Sequence, residues 1–230
     1  MPKPCEIKWL GRIGYQEAWE LQEQLAAKRL AGEIPDTLLL LEHPPTLTLG
    51  RGADPANIVA GAARLEALGV TVVETNRGGD VTYHGPGQLV GYPILNLNEA
   101  PLVPDLHLYL RNLEQILINA LGRLGITGAR FPGYTGVWTG MEGATPEKIA
   151  AIGIRTSRWI TQHGFALNVC TDLSHFELIV PCGIRNYGVT SIERVLCRPM
   201  SPVDVIDAVA GAFCGVLGLD AKELPVIPAA

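Results

Sequence analysis

The chain has no Gly-x-x-x-x-Gly-Lys-Ser/Thr run, so a P-loop that would cradle ATP phosphates is missing. No CxxC pair and no paired Cys/His spacing occurs among its five cysteines and five histidines, which leaves no metal site to argue for. The cysteine number is odd and the gaps irregular, which suits a reducing compartment better than a disulfide framework. The first residues, Met-Pro-Lys-Pro-Cys-Glu, lack the apolar core of a signal peptide. The longest uncharged stretch near the C-terminus, 208–219, is far too short to span a bilayer. Excess positive charge is missing as well: the net charge of −5 argues against nucleic acid as a general partner. These absences describe a cytoplasmic protein with neither a membrane nor a nucleic acid as partner.

What is present is an ordinary globular composition. Hydrophobic residues make up 47% of the 230 residues and charged residues 18%, a length that suits one domain covering 1–230. The 26 glycines and 17 prolines lie in short clusters between apolar runs and mark many tight turns. Apolar spacing predicts helices over 15–30, 62–68, 105–124 (with Asp105 as N-cap and a stripe of Leu106, Leu110, Leu113, Leu117 and Leu121) and 203–217. Strand-like runs fall at 37–42, 46–49, 70–74, 80–84, 88–95, 136–139, 148–155 and 159–169. Strands and helices alternate without a βαβ rhythm. The expected class is α+β, with a mixed, largely antiparallel sheet flanked by helices.

Three segments carry candidate chemistry. The first is Arg77-Gly78-Gly79-Asp80-Val81-Thr82-Tyr83-His84-Gly85-Pro86-Gly87-Gln88. Paired glycines let backbone approach a ligand closely, with polar tips beside the opening; the plainer reading is a glycine-rich hairpin with a satisfied histidine. The second is Lys148-Ile149-Ala150-Ala151-Ile152-Gly153-Ile154-Arg155, which carries one of only five lysines. Its amine either enters a partly dry site or snorkels at a strand edge. The third is Pro181-Cys182-Gly183, where a turn can expose a thiol that a nearby ammonium would activate, Lys148 being the natural candidate. Cys170, Cys197 and Cys214 read instead as buried, inert thiols. Between these segments, His163-Gly164-Phe165-Ala166-Leu167-Asn168 places small residues Gly164 and Ala166 on one strand face, suitable for flanking a slot for a long thin chain.

In this order the segments resemble the lipoyl(octanoyl) transferase family. The run Arg77-Gly78-Gly79-x-x-Thr82-Tyr83-His84-x-x-Gly87-Gln88-x-Val90-x-Tyr92 carries most of the resemblance. The lysine strand, the His163 strand and Pro181-Cys182-Gly183 add to it in register. The resemblance covers roughly residues 35–200 and implies a fold similar to biotin protein ligase and lipoate ligase catalytic domains. It implies that Cys182 is the nucleophile that carries an octanoyl thioester, and that Lys148 lowers its pKa and shuttles its proton. Substrate would contact Arg77, Gly78, Gly79, Asp80, Val81, Thr82, Tyr83 and His84, then Ala151, Ile152 and Gly153, and Gly164, Phe165 and Ala166.

On that footing the octanoyl donor is octanoyl-acyl carrier protein. The acceptor is a lysine of lipoyl domains of 2-oxoacid dehydrogenase complexes or of the glycine cleavage H protein, and no cofactor is called for. Backbone N–H groups near Gly78-Gly79 or the Cys182 turn are candidates for the oxyanion. Acidic partners would meet a local basic rim drawn from Arg51, Arg77, Arg155, Arg158, Arg185 and Arg194. The alternatives are an ATP-dependent lipoate- or biotin-type ligase, or a non-catalytic scaffold protein of the same fold.

Overall fold

The computed structural model describes residues 3–141, 145–180 and 187–221. Cys182 and Arg185 lie outside the described residues. The chain begins with β1 (Lys3–Arg12), α1 (Tyr15–Leu30), β2 (Asp36–Glu42), β3 (Thr46–Leu49), α2 (Ala62–Ala67), β4 (Thr71–Glu74), β5 (Val81–His84) and β6 (Gln88–Ile94). It continues through α3 (Leu106–Arg123), β7 (Ala129–Phe131), β8 (Tyr134–Thr139), β9 (Glu147–Ser157), β10 (Ile160–Asn168) and β11 (Gly188–Val189). The last elements are α4 (Ile192–Leu196), α5 (Ile206–Leu217) and β12 (Leu219–Ala221).

Among the described residues the main sheet runs β12-β1-β2-β6-β10-β9-β8-β7, with β11 on β9, and a smaller sheet runs β4-β3-β5. Pairing is antiparallel from β2 to β7 and parallel at β12-β1-β2 and at β11-β9. This is the expected α+β class.

Burial on both faces explains why the central strands read as unbroken apolar runs. Leu38 and Leu40 of β2 join Cys5, Leu89, Leu113 and Phe213 in the core beneath α3 and α5, whereas Leu39 and Leu41 join Val90, Tyr92 and Ala18 beneath α1. The same two-residue alternation sends Phe165 and Leu167 to the first core and Ala166 to the second. The Phe165 ring lies across Gly91 of the neighbouring strand, where any Cβ would come within 2.1 Å of it.

Several expectations shift by a residue or two, and some fail. The Asp105 carboxylate caps α3 by accepting the Leu108 N–H at 3.0 Å, but Leu106 is 40% exposed, so the apolar stripe starts at Tyr109. Residues 202–205 form a 3-10 turn rather than the first turn of α5. The ten-residue β1, which lies between β12 and β2, has no counterpart in the sequence reading, and neither do β7, β11, β12 and α4, each of five residues or fewer. The short elements leave too little periodicity to read.

Glu114 of α3 is fully buried and holds the β7–β8 hairpin. Its carboxylate accepts from Arg111 Nη1 at 2.6 Å, Arg130 Nε at 2.9 Å and the Gly136 N–H at 3.2 Å. The two guanidiniums reach solvent, but the Gly136 N–H does not. Glu114→Leu is therefore expected to cost about 1–3 kcal/mol, set mainly by the orphaned amide. Arg111→Ala removes an exposed guanidinium and leaves Arg130 and the Gly136 N–H on the carboxylate, so it should cost under about 1 kcal/mol. Urea unfolding of the two variants checks the difference.

Candidate active site

The glycine loop between β4 and β5 is built around a buried cation. Arg77 is 6% exposed. It donates from Nη2 to the Thr48 carbonyl (2.7 Å) and the Asp80 carbonyl (2.7 Å), from Nη1 to the Gly78 carbonyl (3.0 Å) and from Nε to Thr48 Oγ1 (3.2 Å). Gly79 takes φ +90°, which favours glycine, and its carbonyl sits where a Cβ on Gly50 would come within 2.3 Å. The Gly78 N–H donates to the Ile154 carbonyl at 3.0 Å, seating the loop on β9. Gly78 is therefore removed from the oxyanion candidates. The Asp80 carboxylate accepts from the Asp54 N–H and from Asn57 Nδ2.

Strand alternation then divides β5. Thr82 and His84 line a cleft, while Val81 and Tyr83 turn into a separate core with Leu47, Phe176 and Leu178. Tyr83 stacks on His175 there. The two residues brace the strand and do not line the cleft. Arg77, Gly79 and Asp80 line it, as do Ala151, Ile152, Gly153, Gly164, Phe165 and Ala166 from the large sheet.

A hydrogen-bond chain fixes the His84 tautomer. The Thr190 carbonyl can only accept, so Asn168 Nδ2 donates to it (3.0 Å). Asn168 Oδ1 then accepts from Gln88 Nε2 (2.9 Å), and Gln88 Oε1 accepts from His84 Nδ1 (2.9 Å). His84 Nε2 is left as the acceptor. The same logic applies to His43, whose Nδ1 donates to the Ile13 carbonyl and whose Nε2 accepts from the Tyr92 hydroxyl, each at 2.8 Å. His163 sits at φ +56°, with its backbone N–H held by Gln22 and Nε2 by Asn76.

Burial keeps all three imidazoles neutral. It lowers His43 to about 4 and His163 to about 3, with Arg77 and Arg155 adding to the second shift. Burial, His43 and Arg77 push His84 well below its ordinary value. Tyr15 and Tyr92 complete this polar end of the cleft, and burial raises both phenols. Sequence reasoning did not single out Tyr15 or His43, since a lone aromatic or histidine has no spacing to reveal it. Tyr92 was visible only as the last member of the long motif.

Lys148 lies on β9 between β10 and β8, not at a sheet edge, and is 7% exposed. Its Nζ stands 5.0 Å from the centroid of the Trp138 ring. Its carbonyl accepts the Thr190 N–H at 3.0 Å, and Val189 pairs with it in register. A small cavity beside Lys148 shares Thr82, Ala151 and Ala166 with the larger cleft, so the two adjoin along one wall. On the other side of the 181–186 segment, the Val180 N–H donates to the Asn57 carbonyl at 2.7 Å. Cys182, the expected nucleophile, lies within that segment, outside the described residues.

Residues 14–214 match the family described as the lipoyl protein ligase A/B catalytic domain. An octanoyltransferase of Rubrobacter xylanophilus is 54% identical over 90% of this chain and 91% of its own length. The chain belongs to the octanoyltransferase family. The activity that goes with that membership is octanoyl transfer, an acyltransferase reaction of lipoate assembly. The fold of this octanoyltransferase-family chain is also that of a bipartite lipoate protein ligase from Thermoplasma acidophilum, with a TM-score of 0.75 at 16% identity over 98% of this chain and 88% of the other. Biotin protein ligase from Aquifex aeolicus aligns with a TM-score of 0.51 at 15% identity, covering 94% and 70%. Among the described residues no helix is long and apolar enough to cross a membrane.

Two further expectations need correction in this family member. Arg77 is buried under the loop and cannot belong to a basic rim. Arg51, Arg158 and Arg194 are exposed and Arg155 is half-buried. Cys197 is exposed, in a left-handed conformation at the end of α4. Cys170 and Cys214 are half-buried, and burial raises both thiols.

The neutral imidazoles make stability depend on pH. A histidine near 6.5 in the unfolded chain and far lower in the folded one gains its proton first on unfolding. The contribution is fully present above about pH 6.5 and is lost as the pH falls through the folded values near 4 and 3 for His43 and His163. Each group adds a slope of up to about 1.4 kcal/mol per pH unit within that window. Urea unfolding between pH 4.5 and 7.5 should show this loss on acidification, with His43→Gln reducing the slope by one group's share.

Proposed function

We propose that the chain transfers an octanoyl group from octanoyl-acyl carrier protein to a lysine of a lipoyl domain through a thioester on Cys182. The observation that carries this reading is the buried Lys148 amine beside a slot walled by Ala151 and Ala166. The Cys182 thiolate attacks the donor's carbonyl carbon, forming one C–S bond while the carrier's C–S bond breaks, and Lys148 gives the departing thiolate its proton. The acceptor lysine's amine then attacks the acyl-cysteine. A C–N bond forms, the Cys182 C–S bond breaks, and the amine's surplus proton passes to Lys148. An amide replaces a thioester, so the second step runs downhill without ATP.

Acceptors of this chemistry are lipoyl domains of 2-oxoacid dehydrogenase complexes and the glycine cleavage H protein. The exposed Arg51, Arg158 and Arg194 supply a basic surface for acidic partners. The whole reaction fits one catalytic domain working in the cytoplasm, where cysteines stay reduced.

The acyl slot owes its width to alanines more than to glycines. Ala151 and Ala166 pair directly across β9 and β10 and border both cavities. A Cβ on Gly164 would come within 2.2 Å of the Gly91 carbonyl, and one on Gly153 within 3.0 Å of the Gly78 carbonyl. Those glycines serve backbone packing. Ala151→Leu is expected to reduce kcat/KM for octanoyl donor at least about tenfold while affecting a butyryl donor less. Steady-state kinetics with the two donors decides it.

The reaction route is tested by intact-protein mass spectrometry after brief mixing with octanoyl-acyl carrier protein. One octanoyl adduct should appear on the wild type, be absent from Cys182→Ser and form slowly on Lys148→Ala. Transfer to a lipoyl domain without any adduct would overturn the thioester route. Transfer that needs ATP and free octanoate instead would favour the ligase reading.

A further inference from the structure

Trp138 does more than fill the core. It is 1% exposed, and three rings crowd it: Phe131 at 5.1 Å and 65°, Tyr187 at 5.8 Å and 84°, and Tyr134 at 5.7 Å and 60°. Phe131 and Tyr187 also meet edge-on at 5.0 Å, and Phe131 stacks on Tyr134 at 5.2 Å. Such packing gives the indole little freedom to tilt. The hairpin that carries it is pinned from below by the Glu114 carboxylate on the Gly136 N–H. Against this held ring stands the Lys148 Nζ, 5.0 Å from the centroid, within the range at which an indole quadrupole attracts a cation.

We propose that Trp138 is a positioning residue for acyl transfer: its indole face holds the Lys148 amine in place and favours the amine's charged form. The inference rests on the proposed role of Lys148 beside the Cys182 thiol. A π face lends attraction without accepting the proton. Lys148 is thereby kept as an ammonium able to pair with a thiolate, and can still release its proton to the leaving group. A carboxylate in the same place would hold the proton far more strongly.

The charged and titratable neighbours are consistent with this division of labour. Glu147, next in the chain, is paired with Arg194 at 3.7 Å, and Glu114 is engaged by Arg111 and Arg130. Tyr134 and Tyr187 belong to the ring cluster behind Trp138. Among the described residues, the other polar groups lining the Lys148 cavity are the uncharged Thr82, Gln88 and Asn168, and the imidazole bonded to Gln88, His84, is neutral. Tyr187, a member of this ring cluster, is the first described residue after the 181–186 segment.

Fluorinated tryptophan tests this, because fluorine weakens the ring's negative face with little change in shape. Wild type carrying mono-, di- and trifluorotryptophan is alkylated with iodoacetamide across a pH series, and Cys182 is followed by peptide mapping. The same labelling in Trp138→Phe corrects for Trp9, Trp19 and Trp159. If the indole face stabilises the ammonium, and so the thiolate, the alkylation midpoint climbs stepwise with fluorine number. It rises by about one pH unit in Trp138→Leu, and the Trp138→Phe background shows no such steps. A midpoint that ignores fluorination in proteins melting at the wild-type temperature overturns the inference. Octanoyl loading of Cys182, measured on the same samples, reports separately on the thioester route. A graded shift without loading refutes that route alone, whereas loading without a shift refutes the role of Trp138.

Discussion

Arg77 commits its guanidinium to the backbone oxygens of Thr48, Gly78 and Asp80, and the cleft takes its shape from that commitment. A buried cation is costly unless its donors are met. Here carbonyls meet them, and a tight loop is the geometry that brings three carbonyls together. The loop lies against β9 through Gly78 and Gly153, and against the 50–52 turn through Gly50. The loop thus fastens the small sheet to the large one, and the cleft lies beside it.

The charge of Arg77 reaches further than its hydrogen bonds. It contributes to holding His84 and His163 neutral, and the two imidazoles join Tyr15, Tyr92 and Arg77 itself in lining a polar stretch of the cleft, with His43 hydrogen-bonded to Tyr92. Around Lys148 the described walls are Ala151, Ala166, Phe176 and Val189 together with the uncharged Thr82, Gln88 and Asn168, with a tryptophan face against the amine. A long thin acyl chain and a proton-transferring amine need different surroundings, and the site supplies them on adjoining stretches of β9 and β10. The order of residues along β9 sets this arrangement: lysine first, alanine three positions on, and glycine where the loop docks.

Local readings held where the signal was strong. The α3 helix with its Asp105 cap, the apolar central strands and the long motif from Arg77 to Tyr92 were legible because each repeats a pattern over many residues. The motif's members could not be sorted by pattern alone. Thr82 and His84 face the cleft while Val81 and Tyr83 face a second core, and nothing local says which side of β5 is which, because both sides are buried. Arg77 looked like a surface arginine because part of what buries it, the Thr48 carbonyl and hydroxyl, lies 29 residues away. The smallness of Gly164 and Ala166 suggested a slot; both line the cleft, and Gly164 also serves a close backbone contact with Gly91.

By itself the sequence determined the class of fold, the family, the separation of Lys148 from the other lysines and the residue types available for chemistry. These follow from periodicity and motif order, which are properties of the chain read along its length. Only the tertiary structure decided which residues face one another: Trp138 against Lys148, Gln88 between His84 and Asn168, Ala151 across from Ala166. Strand order and register make those neighbours. They depend on long-range pairing of β10 with β6 and β9 and on the burial of both sheet faces, which no local stretch of sequence encodes.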